Sequence, residues 1–112
     1  MRKVFIYGKY FSDFYSKQNQ ASRLKIDCTI ELVRSLAVVP EKFLKHITGS
    51  DGLYEIRVKS GSNIFRIFCF FDEAKLIILL NGFQKKSVKT PVNQIAKAER
   101  LKKAYYEEKK QN

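Results

Sequence analysis

Glu55 and Arg57 stand two positions apart in GLYEIRV, and Arg66 interrupts the apolar run NIFRIFCFF that follows. Residues two apart in a strand share a face, so Glu55, Arg57 and Lys59 line one side while Tyr54, Ile56 and Val58 line the other. Ser60-Gly61-Ser62 is a short turn, and a hairpin register would bring Arg66 beside Glu55 and Arg57. A carboxylate among fixed cations can move a proton and stabilise developing negative charge. The plainer reading is a cross-strand ion pair. An arginine among Ile64, Phe65, Ile67 and Phe68 needs a partner, because a buried guanidinium is costly alone. Glu55 or a phosphate would serve. Lys85, Lys86 and Lys89 follow the last strand pattern and read equally as a solvated loop or an anion contact. His46, the only histidine, has no catalytic neighbour in sequence and is read as structural.

These residues need a sheet to hold them. Tyr54–Lys59, Ile64–Phe71 and Leu76–Leu80 have strand patterns joined by links too short for a crossover, which predicts an antiparallel meander ending at Asn81-Gly82. Before it, Val4–Tyr7 reads as a short strand. Phe11, Phe14 and Tyr15 have helical spacing with Ser12 as candidate N-cap, and Ser16–Gln20 spans the bend. Leu24, Cys28, Leu32 and Leu36 then recur every four residues, widened by Ile26, Ile30 and Val33, so a second helix should pack flat on the sheet. Pro40 stops it, and Glu41–Ile47 reads as a turn or helical piece. Thr90 as N-cap and Pro91 at the first helical position start a last helix with the stripe Val92, Ile95, Ala98, Leu101 and Tyr105, which covers a sheet edge or faces a partner. Tyr105 reads as packing and Tyr106 as an amphipathic surface residue. The expectation is one α+β domain over residues 1–112: an N-terminal strand and helical hairpin packed on a small antiparallel sheet, with a C-terminal helix.

Composition agrees with one small core: 112 residues, 45% hydrophobic, with nine Phe and six Tyr. Twenty-two basic against eleven acidic residues give a net charge of +11, so a polyanion or an acidic protein is the natural partner. Residues 51–83 hold four charges of each sign, so the excess lies before and after the sheet. Cys28 and Cys69 have neither zinc spacing nor a disulfide framework and are expected to be buried reduced thiols. No apolar run reaches the length of a membrane span and the start lacks an apolar leader segment, so a cytoplasmic location is expected, away from membranes.

GLYEIRV, a turn, IFRIFCFF, a second turn, LIILLNGFQKKSVKTP and a closing helix together resemble the RelE/HigB superfamily of bacterial toxins, in its phage-derived HigB-like branch. The resemblance implies the toxin of a type II toxin–antitoxin pair, a ribosome-dependent endoribonuclease that cuts translated mRNA without metal or other cofactor. It implies catalytic roles for Glu55, Arg57, Arg66, Lys85 and Lys86, with Lys45, Lys59 and Lys89 as further RNA contacts. Implied partners are a helix-turn-helix antitoxin, the ribosome with its mRNA, and a higher-order toxin–antitoxin complex on operator DNA. Relatives often carry Arg, His or Tyr near the 85–89 segment. This chain has neither His nor Tyr between Phe83 and Lys103, so the general acid has no candidate. A gyrase-poisoning toxin of the same superfamily and a non-toxic basic nucleic-acid-binding module are the alternatives.

Overall fold

A computed structural model describes residues 1–111. The chain runs β1 (Lys3–Ile6), α1 (Tyr10–Ser16), α2 (Gln20–Ser35), β2 (Leu44–His46), β3 (Tyr54–Ser60), β4 (Asn63–Asp72), β5 (Leu76–Gln84) and α3 (Val92–Lys110). The strands form one sheet in the order β1-β5-β4-β3-β2. The meander is β3 to β5 as expected, and β2 adds antiparallel to β3. β1 adds parallel to β5, made possible because the two helices intervene between them in sequence. The fold class is α+β as expected, and the sheet is five-stranded and mixed where a small antiparallel one was expected.

Period two sorts the two layers. Ile56, Val58, Phe65, Ile67 and Cys69 point toward α1 and α2, where Phe11, Phe14, Ile26 and Val33 meet them. Phe68, Phe70, Ile78 and Leu80 point the other way and are covered by Ile95, Ala98, Leu101 and Tyr105 of α3. The last helix therefore covers a face rather than an edge.

Several local expectations are corrected. Helix α1 starts at Tyr10 with Lys9 before it and no side-chain cap, so Ser12 is not the N-cap. Asn19 caps α2, its side chain accepting from the Ser22 amide at 2.8 Å. Helix α2 ends at Ser35, short of Pro40, where the Arg2 guanidinium takes the carbonyls of Val33, Leu36 and Ala37. A cation there also complements the negative helix end. Its buried stripe is Ser22, Ile26, Thr29 and Val33. Leu24, Cys28, Leu32 and Leu36 lie outside the core, because hydrogen bonds from Ser22 to Ser60 and from Thr29 to the Lys25 carbonyl let two small polar residues pack inward. Glu41–Ile47, expected to be a turn or helical piece, contains β2. Pro91, not Thr90, occupies the cap position of α3.

Strand β5 continues through Asn81-Gly82 instead of ending there. Ile67 pairs with Gly82 and Cys69 with Leu79, so Leu80 and Asn81 together oppose Phe68 in a bulge. The bulge turns Phe83 onto the α3 face, where it meets Phe68 edge to face at 5.2 Å. Gly82 is required on the other face: a Cβ there would lie 2.5 Å from the Phe14 ring.

Candidate functional site

At the Ser60 end of β3 the α3 face of the sheet changes from apolar to charged. Arg57 stands opposite Arg66, and Glu55 stands opposite Phe68 on one side and Lys45 on the other. Strand geometry alone places these side chains on one face. Oε2 of Glu55 lies 2.8 Å from Arg66 Nε and 3.4 Å from Arg57 Nε. The Arg66 Nε–H is not aimed along that line, so the contact is ionic rather than a hydrogen bond. Arg66 donates from Nη1 to the Phe65 carbonyl at 3.2 Å. Glu55 and Arg66 are each only 7% exposed, whereas the Arg57 side chain is 31% exposed. The cluster thus has an inner pair and an outer cation.

Lys85 follows β5 directly, its amide bonded to the Ile64 carbonyl at 2.7 Å. Burial pushes its ammonium below the usual lysine range, the neighbouring Arg66 pushes the same way, and Glu55 opposes both. Burial also lowers Arg66, against the pull of Glu55. Lys85 therefore belongs to the cluster electrically. Lys45 and Lys59 are exposed at its margin, Lys45 also lying 3.8 Å from Glu41. Lys86 and Lys89 are exposed beyond β5, and among the described residues no hydrogen bond or ion pair joins their side chains to the cluster. His46 is exposed and meets Tyr54 edge to face, away from the charges.

The assembly holds one carboxylate against the cations of Lys45, Arg57, Arg66 and Lys85. Such a site attracts an anion and can stabilise one that forms there. Among the described residues no three His, Cys, Asp or Glu side chains converge as metal ligands would. No helix is long and apolar enough to cross a membrane.

Sequence reasoning missed the groove beside this cluster, where Cys28, Thr29 and Leu32 of α2 face Lys42, Phe43 and the end of β3. Its signal in the sequence is the i+4 row of α2, whose Leu24, Cys28 and Leu32 are exposed rather than core. The expectation that both thiols are buried holds for Cys69, whose thiol burial pushes up to about 12. It fails for Cys28, which is exposed.

No curated protein matches the chain. The sequence profile of the family described as "Phage derived protein Gp49-like (DUF891)" matches residues 13–103, from within α1 through most of α3. That span includes every residue of the charged cluster. The chain belongs to this phage-derived Gp49-like family, which is associated with RelE/HigB-like toxins of toxin–antitoxin systems.

Proposed function

We propose that this protein is the toxin of a type II toxin–antitoxin pair and that it cleaves translated mRNA on the ribosome. The observation that carries the reading is a single carboxylate set among four cations on one sheet face, three of them from the meander and its immediate C-terminal extension. In-line attack of a ribose 2′-hydroxyl on the adjacent phosphorus needs a proton acceptor, charge stabilisation on the phosphorane and a proton for the departing 5′ oxygen.

Both guanidinium contacts to Glu55 fall on Oε2. Oε1 takes the 2′ proton, Arg57 and Lys45 contact the non-bridging phosphate oxygens, and Arg66 acts through the cluster as the fixed inner charge. Lys85, its ammonium acidified by burial and by Arg66, delivers the proton to the 5′ oxygen and fills the gap left by the missing His and Tyr. The products are a 2′,3′-cyclic phosphate and a free 5′-hydroxyl. Lys59, Lys86 and Lys89 extend the basic surface along the RNA. An antitoxin with a helix-turn-helix domain neutralises the protein, and the pair binds operator DNA.

Primer-extension mapping of transcripts after brief induction tests the reading. Cuts confined to translated regions and abolished by a translation-initiation inhibitor support it. Intact transcripts together with arrested thymidine incorporation would replace it with gyrase poisoning.

A further inference from the structure

Strand β1 pairs with β5 only as far as Leu79, so beyond it Asn81 and Gly82 of β5 border a cleft of about 270 Å3 between α1 and α3. Tyr10 and Asp13 of α1, Lys17 just after it and Lys97 of α3 line the other sides. None of these residues belongs to the charged cluster. Asn81 is 1% exposed, and its Nδ2 donates to the backbone and side-chain oxygens of Gln94 at 3.2 and 3.0 Å. The Gln94 carbonyl can only accept, which fixes the way the Asn81 amide faces. The other prong, Oδ1, has no hydrogen-bond partner among the described residues. A buried acceptor left unpaired is costly, and one beside a cleft points to a donor brought in from outside. A single water would satisfy Oδ1 but use none of the charged groups around it.

The lining narrows the ligand. The donors of Asn81 are spent on Gln94, so toward a ligand it can only accept, and the Asp13 carboxylate likewise only accepts. The ligand edge that meets them is therefore rich in donors. Lys17 and Lys97 outnumber the one carboxylate, so the ligand carries negative charge elsewhere. Tyr10 is 41% exposed and the Lys97 ammonium lies 4.9 Å from its ring centroid, which sets a stacking surface beside a cation. The volume falls just short of the usual small-molecule site, about 300–1,000 Å3, and suits one ring system with its phosphate. Among the common nucleobases, guanine alone has adjacent N–H and amino donors on its pairing edge. Adenine and cytosine set a ring acceptor beside the amino group, and uracil sets a carbonyl on each side of its N–H. Those acceptors would face a carboxylate. We infer that this cleft binds one guanine nucleotide, its donor edge on Asp13 and Asn81 Oδ1, its ring on Tyr10 and its phosphate on Lys17 and Lys97. A free nucleotide and a single guanosine within an RNA strand present the same groups.

Titration of the full chain with GMP, AMP, CMP and UMP, followed by calorimetry and by NMR of the amide groups, tests the assignment without any assay of activity. GMP should move the Asn81 side-chain and Gly82 backbone signals and bind about tenfold tighter than the other three. Asp13→Asn sets a donor against the guanine donors, and it should lower GMP affinity by about tenfold and erase the preference over AMP. Lys97→Ala should weaken GMP by about fivefold and leave guanosine, which has no phosphate, unchanged. Melting curves check that both fold, and Lys17→Ala, at an exposed position, repeats the phosphate test should Lys97→Ala fold poorly. Two 2′-O-methyl oligonucleotides, which have no free hydroxyl to be cut, identify the source: an adenosine run and the same run with one central guanosine. Signals at Asn81 that move with the guanosine strand alone, and at lower concentration than with GMP, place the ligand in RNA. Movement with GMP and with neither strand makes it the free nucleotide. Equal binding of all four nucleotides, movement confined to Arg57 and Arg66, or an equal response to arginine overturns the assignment, as does a spectrum that GMP leaves unchanged.

Discussion

Arg57 and Arg66 stand directly opposite each other on β3 and β4, and the carboxylate of Glu55 holds both. Like charges in direct register repel, and the carboxylate between them offsets that repulsion. The consequence is a division of roles. Glu55 and Arg66 lie inside, and Arg57 projects from them to the surface with its position set by the same oxygen. A phosphate arriving at Arg57 meets a cation already oriented, which limits the ordering that binding requires.

Gly82 is a sensitive position outside the charged cluster. Its missing Cβ is filled by the Phe14 ring, with three ring atoms inside 3.0 Å of where it would sit. Gly82→Ala should destabilise the fold by about 1–3 kcal/mol through overpacking, and Phe14→Leu in the same chain should recover part of that loss. Denaturant unfolding of the two singles and the double gives the coupling. Additive losses would show that the Phe14 contact is not what makes glycine necessary.

The meander was legible because an alternating strand at Tyr54–Lys59 and two apolar runs are joined by links too short for a crossover, and the Glu55, Arg57 and Arg66 cluster followed from the period of the first strand and a two-strand register. Strand β2 was not, since Leu44-Lys45-His46 offers a single apolar residue to a period of two. Nothing local in VFI announces a parallel partner more than seventy residues away, so the pairing of β1 with β5 was invisible. In the bulge at Leu80 and Asn81, Asn81 donates to both the backbone and the side chain of Gln94, a contact with α3 that sequence spacing does not encode. Helix α2 offered two candidate stripes. The more hydrophobic one faces water because the other packs closer through Ser22 and Thr29.

A second prediction concerns alkaline pH. Burial first, and then its hydrogen bond to Asp72 at 2.6 Å, raise the Tyr105 phenol from 10.0 to about 12. A group whose folded pKa is raised contributes stability that is complete below its unfolded value and is lost as pH rises through the folded one. Stability should therefore fall between pH 10.0 and about 12. Tyr105→Phe should flatten this limb in thermal melts. Some slope should remain from Tyr7, which its hydrogen bond to Glu108 also raises to about 12. On the acid side Asp72, lowered chiefly by Lys109 and then by Tyr105, contributes stability above its unfolded pKa that is lost as pH falls through its folded one. Asp72→Asn should remove that acid limb.

A third prediction concerns salt. If Lys45, Arg57, Lys59 and Lys85 each neutralise one phosphate of a single strand, log K should fall against log salt with a slope of about −3, roughly −0.7 for each contact. Lys59→Ala should reduce the slope by about 0.7 with little change in melting temperature. Fluorescence anisotropy of a labelled single-stranded RNA measures both. Affinity that stays flat from low to moderate salt would remove phosphate contact from this surface.

The fourth prediction separates the inner pair from the outer cation. Glu55→Ala leaves Arg57 and Arg66 in register without a counter-charge and should cost about 3–5 kcal/mol of stability. Arg66→Ala should cost less, because Arg57 remains 3.4 Å from the carboxylate it strands. The Glu55→Ala, Arg66→Ala double variant should be no worse than Glu55→Ala alone, the signature of two residues acting as a unit. Arg57→Ala removes a side chain that is 31% exposed, so stability should drop by at most about 1 kcal/mol. Its loss should nonetheless slow cleavage by roughly 10²–10³, because its contact strengthens as the phosphorane forms. Unfolding curves and growth arrest for the four variants settle the matter together. A fully toxic Arg57→Ala would move the phosphate elsewhere, and a stable Glu55→Ala would mean that the two arginines do not need the carboxylate between them.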